Sequence, residues 1–132
     1  MSFGYHNHFW EFAEDASGTT GWRKLFDQLE PTVVAELDIY WATVGGADPI
    51  RVLNELGPRG RLIHVKDGPA DTPENAMVAV GSGSLDVQAI LTAASSAEWH
   101  IVELDRCDTD MFGAIEESYR YLTSNGLSRG QK

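Results

Sequence analysis

Four short apolar runs, each followed by a segment of helical character, constrain the fold of this 132-residue chain more than any other feature. The runs are almost continuously apolar, as strands buried on both faces are, and the segments between them carry apolar residues at helical spacing. We predict strands at 3–8, 33–38 with a continuation to 41, 61–67 and 99–105, and helices at 20–30, 48–56, 87–94 and 111–125. This alternation predicts an α/β fold with parallel strands and right-handed connections.

The third predicted strand, residues 61–67, ends in an imidazole, an ammonium and a carboxylate within four residues. Since strand side chains alternate, His64 and Lys66 share one face, whereas Asp67 lies on the other face or in the following loop. A single histidine near a strand end is more often a hydrogen-bonded structural residue than a metal ligand. The other strands must therefore supply the context for a site.

Each of the four strands ends in groups able to bind a divalent cation or to move a proton, namely His6 and His8, Asp38, His64 with Lys66, and Glu103. Parallel strands bring those ends to one edge of the sheet, where ligands bind in parallel α/β folds. Individually, Asp38 is also explained as a turn cap and Glu103 as an ion-pair partner of Arg106. Together the four ends predict a mixed carboxylate and imidazole site, which suits Mn²⁺, Co²⁺, Mg²⁺ or Zn²⁺.

Charge and cysteine content exclude several classes of protein. Acidic residues outnumber basic ones by 20 to 10, for a net charge of −10, which opposes binding to nucleic acid or to an anionic membrane. Cys107 is the sole cysteine, so an internal disulfide and a cysteine-cluster zinc site are excluded, and a reducing cytoplasmic location is expected. We find no apolar run of membrane-spanning length and no signal peptide. The glycine-rich turn at 81–83 lacks the lysine and glycine spacing of nucleotide-binding loops.

Several motifs, in order along nearly the whole chain, resemble the sugar phosphate isomerase/epimerase family of xylose-isomerase-like TIM barrels. The motifs are GYHNH at 4–8 followed by Glu11-Phe12, ELDIYW at 36–41 followed by GGADP at 45–49, HVKD at 64–67, VGSG at 80–83 and VELD at 102–105. The resemblance implies that residues 1–127 are the C-terminal half of a (β/α)8 barrel, its strands five to eight, with a flexible tail at 128–132. A complete barrel has eight strands and about 250 residues.

The resemblance also implies roles for individual residues. The family takes one metal ligand from each of its last four strands, which implies Asp38, His64 and Glu103 here. For the first strand we predict Glu11 as the fourth ligand, and a histidine remains the alternative. His6, His8, Trp41 and Lys66 are then predicted to bind substrate, Trp41 standing where the family usually has a histidine. Glu103 is the expected catalytic base, with Glu11 on the opposite side of the substrate.

The function implied is a divalent-metal-dependent isomerase or epimerase of a sugar or sugar phosphate, acting through a metal-bound enediolate. One alternative keeps the metal and dehydrates a keto-polyol. The other is an inactive half barrel, or a fragment that needs a partner, because four strands leave two open edges and an uncovered inner face. We accordingly expect a homo-oligomer or a complementary N-terminal half barrel as partner. The family's endonuclease branch conflicts with the negative charge.

Overall fold

The computed structural model describes residues 2–130 and shows the alternation of strands and helices expected from the sequence. Its elements are β1 (Gly4–His6), α1 (Gly21–Gln28), β2 (Val34–Asp38), α2 (Ile39–Val44), α3 (Pro49–Leu56), β3 (Gly60–Val65), α4 (Val87–Ala93), β4 (Trp99–Val102) and α5 (Met111–Ser124). Single 3-10 turns lie at Trp10–Phe12 and Gly57–Arg59.

The four strands form one sheet in the order β1-β2-β3-β4, and all three pairings are parallel. Asp38, the last residue of β2, lies directly beside His64 of β3. His6, the last residue of β1, lies beside Glu36 of β2. The parallel α/β fold is therefore confirmed, and the strand ends that carry polar side chains lie at one edge of the sheet.

The two faces of the sheet differ in chemistry because strand side chains alternate. Leu37, Ile63 and Val65 are fully buried in the core that the helices build over one face. The intervening residues of β2 and β3, among them Asp38 and His64, point to the other face. In a closed barrel that second face is the interior, so the sequence places its polar groups inside the barrel.

The prediction that the second strand continues through Ile39, Tyr40 and Trp41 is wrong, because these residues form the first turn of α2. The Asp38 carboxylate accepts a hydrogen bond from the Trp41 backbone N–H at 2.8 Å and thereby caps the helix. Burial explains the apolar run equally well, since Ile39 and Tyr40 are fully buried. Asp38 is thus held at a strand–helix junction.

The third and fourth strands are shorter than predicted, ending at Val65 and Val102. Lys66, Asp67 and Glu103 therefore lie in the segments just beyond the strands. By contrast, the predicted start of α3 is confirmed, since Asp48 caps it and Pro49 is its first residue.

Two predictions concern the C-terminus and membranes. Of the tail predicted at 128–132, residues 131 and 132 lie outside the described residues. Ser128 is held by a backbone hydrogen bond to Leu122 at 3.1 Å and by its hydroxyl, 2.7 Å from His100 Nδ1. Within residues 2–130, the helices all fall short of the length and apolar character needed to cross a membrane.

Candidate metal centre

Three strands each contribute one side chain to a cluster with the composition of a metal site. His6, Asp38 and His64 each place one donor atom within 4.8 Å of the other two. Asp38 Oδ2 lies 4.0 Å from His6 Nε2 and 3.8 Å from His64 Nδ1. The parallel register brings these residues together although 58 positions separate the first from the last.

Unpartnered polar atoms in this cluster fit a bound cation. His6 Nδ1, Asp38 Oδ2 and His64 Nδ1 are buried and make no well-aligned hydrogen bond in the described part of the chain. Charged groups lie near two of them, since Lys66 Nζ is 3.1 Å from Asp38 Oδ2 and Glu103 Oε2 is 3.0 Å from His64 Nδ1. The other Asp38 oxygen is occupied, because it caps α2. A buried acceptor without a partner is costly, and a divalent cation satisfies such atoms directly. Imidazole and carboxylate ligands together suit the transition metals and Mg²⁺ named above.

His64 is oriented by carboxylates on both sides of its ring. Nε2 lies 2.9 Å from Glu36 Oε1, and Nδ1 lies 3.0 Å from Glu103 Oε2. In metal sites a carboxylate commonly receives one ring N–H of a histidine while the other nitrogen binds the ion. With Glu36 at Nε2, Nδ1 and the nearby Glu103 oxygen would both face an ion. Glu36 was not among the site residues predicted from the sequence. The signal was present, since Glu36 and Asp38 are two residues apart on one strand and must share a face.

The backbone of Asp38 is fixed by Asn7, which is fully buried. Asn7 Oδ1 accepts from the Asp38 N–H at 2.9 Å, and Asn7 Nδ2 donates to the Asp38 carbonyl at 3.1 Å. Burial raises the pKa of the Asp38 carboxyl to about 6, against the opposing effects of the Lys66 ammonium and the Trp41 N–H. Asp38 is thus held rigidly in a place where its charge needs a cationic partner.

Lys66 supplies one such partner. Its side chain is 1% exposed, and Nζ lies 3.1 Å from Asp38 Oδ2, 2.8 Å from Glu103 Oε2 and 2.8 Å from Asp105 Oδ2. Burial disfavours the charged form, but Asp38 and hydrogen bonds to the other two carboxylates outweigh it and raise the pKa of Lys66 above its usual value. The ammonium also lies 5.8 Å from the centre of the Trp41 ring. Lys66 is therefore a charged member of the cluster.

Glu11, predicted as the fourth ligand, lies outside this group. Its two oxygens accept hydrogen bonds from the Tyr5 hydroxyl at 2.8 Å and from the His8 N–H at 3.0 Å. From the first strand, the structure places His6 beside Asp38 instead. The ligand and catalytic roles of Glu11 stay predictions.

Of the other two residues predicted to bind substrate, His8 belongs to an exposed aromatic surface next to the cluster and Trp41 does not. The His8 ring lies 5.1 Å from the His6 ring and stacks on Trp10, which is 56% exposed, with 4.4 Å between ring centres. Trp41 is nearly buried and packs against Phe9. His8 and Trp10 therefore present an exposed ring face, whereas Trp41 contributes little surface of its own.

Asp67 follows Lys66 directly in the sequence but does not pair with it. Its buried carboxylate instead accepts four backbone N–H groups, from Gly68, Gly81, Gly83 and Leu85, at 2.9 to 3.2 Å. The glycine-rich turn that resembled a phosphate loop is therefore wrapped around an internal anion. This anchor sets the course of the chain between β3 and α4, beside the cluster.

Comparison with known proteins yields structural matches alone, since no family model and no curated protein matches the chain. The solved structures that match include two described as sugar phosphate isomerase/epimerases, both from Parabacteroides distasonis ATCC 8503. One has a TM-score of 0.81 and 27% identity and covers 96% of this chain and 46% of that chain. The other has a TM-score of 0.76 and 23% identity and covers 96% and 47%. The chain thus spans about half the length of each.

The match extends over almost all of this chain, and the four parallel strand–helix units are half of a TIM barrel. The resemblance predicted from the motifs is therefore confirmed: this chain has the structure of a half barrel of the sugar phosphate isomerase/epimerase type.

Proposed function

We propose that this half barrel provides the metal-binding and proton-transferring residues of a divalent-metal-dependent isomerase or epimerase acting on a sugar or sugar phosphate. The observation that carries the proposal is the cluster of His6, Asp38 and His64, which brings three donors from three strand ends to one edge of the sheet. The structural likeness to proteins described as sugar phosphate isomerase/epimerases supports the same class of reaction.

Asp38 Oδ2, His64 Nδ1 and one nitrogen of His6 would hold the ion. Glu103 would join them, since its Oε2 already lies 3.0 Å from His64 Nδ1. When bound, a divalent ion supplies Lewis-acid polarisation of a carbonyl oxygen, which makes the neighbouring C–H group acidic. Glu36 would keep His64 in the required orientation through Nε2.

Glu103 is the residue best placed to move the proton. Its side chain is 45% exposed, so it is open to a substrate, and Lys66 and His64 hold one of its oxygens. It would accept the proton from the carbon next to the carbonyl and, in an isomerase, return it to the neighbouring carbon. Epimerisation needs a second group that gives a proton to the opposite face of the substrate, and Glu11 is the candidate for that role, its oxygens being held by Tyr5 and the His8 backbone.

The proposal includes a complementary half barrel. β1 and β4 are the outer strands of the sheet, so each leaves one row of backbone groups unpaired within it. Around β4 and α5, Trp99, Ile115 and Tyr119 are exposed and border a groove of about 710 Å³. Strands and helices of a second half, from another chain or from a longer form of this one, would cover these surfaces. Light scattering after size-exclusion chromatography should therefore show an assembly, and a stable, well-folded monomer would contradict this part.

The reaction itself is tested by solvent exchange. The completed barrel, loaded with Mn²⁺, is incubated with a panel of ketoses and ketose phosphates in D₂O, and deuterium at the carbon next to the carbonyl is followed by NMR. We expect exchange that requires the ion and falls by at least about 100-fold in Glu103→Gln, as loss of a general base does. Glu98→Gln, at the opposite end of β4 and paired with Arg61, is the matched control. Exchange that is equal in both variants would refute the assignment, and a product lighter by one water would favour the dehydratase alternative.

A further inference from the structure

One cation is already built into the candidate metal centre, and it is the ammonium of Lys66. We propose that Lys66 shares Asp38 and Glu103 with the divalent ion, that it lowers the affinity of the site for that ion, and that ion binding shifts the ammonium toward Asp105. The inference rests on the proposed metal site and names Lys66 as a residue that controls the affinity of that site for the ion.

The shared atoms are identifiable. Asp38 Oδ2 is the oxygen that faces His6 and His64, and Lys66 Nζ lies 3.1 Å from the same atom. Glu103 Oε2 lies 3.0 Å from His64 Nδ1 and 2.8 Å from Lys66 Nζ. Both oxygens through which carboxylates would reach an ion at His64 are therefore also contacts of the ammonium.

Asp105 gives the ammonium another place to go. Lys66 donates a hydrogen bond of 2.8 Å to Asp105 Oδ2, and Asp105 lies outside the group of donor atoms around Asp38. The Asp105 backbone N–H is itself held by Met77 Sδ at 3.3 Å. Met77 is 1% exposed, so the backbone of Asp105 is tied to a buried side chain. Lys66 can thus give up the two shared oxygens and still keep a partner.

The carboxylates of the cluster carry enough negative charge to hold one ammonium and one divalent ion at the same time. Asp38, Glu103 and Asp105 lie within 3.1 Å of the Lys66 ammonium, and Glu36 lies 2.9 Å from His64, so the carboxylates of the cluster outnumber its one ammonium. Two cations that use the same oxygens repel each other, more strongly at the buried Asp38 than at Glu103, whose side chain is 45% exposed. Without the ion, the Lys66 ammonium offsets the repulsion among the carboxylates. When the ion binds, the ammonium competes with it for the oxygens of Asp38 and Glu103.

Removing the ammonium should therefore lower the stability of the metal-free protein and raise its affinity for the divalent ion. Titration calorimetry with Mn²⁺ as the probe compares the wild-type protein with Lys66→Met and with Lys24→Met, a control at an exposed lysine paired with Asp15. We expect Lys66→Met to bind Mn²⁺ at least about tenfold more tightly, and Lys24→Met to match the wild type. Addition of Mn²⁺ should raise the melting temperature of Lys66→Met more than that of the wild type.

Other variants separate this inference from the metal site on which it rests. Lys66→Arg keeps the charge and should not bind more tightly than the wild type, and Lys66→Gln should behave as Lys66→Met does. Equal or weaker binding in folded Lys66→Met and Lys66→Gln, with binding lost in Asp38→Ala, would overturn the inference and leave the metal site standing. Binding unchanged in Asp38→Ala would overturn the site itself. If both neutral variants fold only with Mn²⁺ present, the inference is supported; if neither folds even then, it is refuted.

Discussion

Replacing Asp67 with asparagine should release the loop that follows β3. Asp67 is 1% exposed, its Oδ1 accepts from the N–H groups of Gly68 and Leu85, and its Oδ2 accepts from those of Gly81 and Gly83. An asparagine side chain keeps one oxygen and turns an NH₂ group toward the other pair. Whichever way the amide is turned, two backbone N–H groups lose their acceptor and face another donor.

The size of the effect follows from those two lost interactions. A hydrogen bond to a charged group contributes about 1.5–3 kcal/mol, so losing two should lower the free energy of unfolding by about 3–6 kcal/mol. That is a large part of the roughly 5–15 kcal/mol typical of a folded domain. Urea unfolding followed by tryptophan fluorescence and circular dichroism measures it. Asp71→Asn, at an exposed position of the same loop, is the control and should change stability by less than about 0.5 kcal/mol.

A loss in Asp67→Asn of less than about 1 kcal/mol, the size expected when a single ordinary hydrogen bond is lost, would refute this reasoning. It would mean that the four N–H groups find other acceptors and that the loop does not depend on the buried charge.

Three further predictions concern other positions of the chain. Gly83→Ala should destabilise the protein about as much as Asp67→Asn, because a Cβ there would collide with the Asp67 carboxylate; unchanged urea stability would contradict this. Asn7→Ala should lower the free energy of unfolding by about 2–3 kcal/mol, since it leaves the buried N–H and C=O of Asp38 unpaired. A loss of stability no larger than that caused by replacing an exposed asparagine with alanine would argue against these two hydrogen bonds. Burial lowers the pKa of His100 below 6.5, so the unfolded chain binds more protons at this residue than the folded chain does. The free energy of unfolding should therefore decline as pH falls through 6.5, until the lower pKa of the folded state is passed. Urea unfolding across that pH range should show a smaller decline in His100→Gln, and a profile identical to that of the wild type would contradict the prediction.

The fold was predictable from the sequence because its pattern reports burial. In this sheet the face covered by helices is apolar, so each strand reads as an apolar-rich run, and the runs are separated by segments with apolar residues at helical spacing. Burial alone does not distinguish a strand from a helix over a few residues, which is why Ile39 to Trp41 were predicted as strand although they begin α2. The deciding contact, the cap from Asp38 to the Trp41 N–H, has no separate signature in the apolar pattern.

The site was predictable where strand geometry alone decides position. Asp38 and His64 end up side by side because they lie near the ends of neighbouring parallel strands. At the first strand the structure places His6 in the cluster, because β1 ends there and the chain then turns, so that Glu11 faces Tyr5 and the His8 backbone. The apolar pattern does not show that turn, and the ligand role predicted for Glu11 stays a prediction.

The role of Asp67 depends on partners that local patterns do not reveal. Three of its four N–H donors lie 14 to 18 residues further along the chain. The sequence shows a carboxylate at a strand end and, further on, a glycine-rich turn. It does not show that the two are joined by hydrogen bonds. The glycines are explained only when the anion they surround is seen.

The central claim is that the strand ends converge on a site for one divalent ion. Titration calorimetry with Mn²⁺ on the wild-type protein, Asp38→Ala and His64→Ala tests it most directly, with His100→Gln as a histidine control that the structure places against Ser128. We predict binding of about one ion per chain in the wild type and the control, and loss of binding in Asp38→Ala and in His64→Ala. Unchanged binding in both variants, or no binding by the folded wild-type protein, would contradict the account.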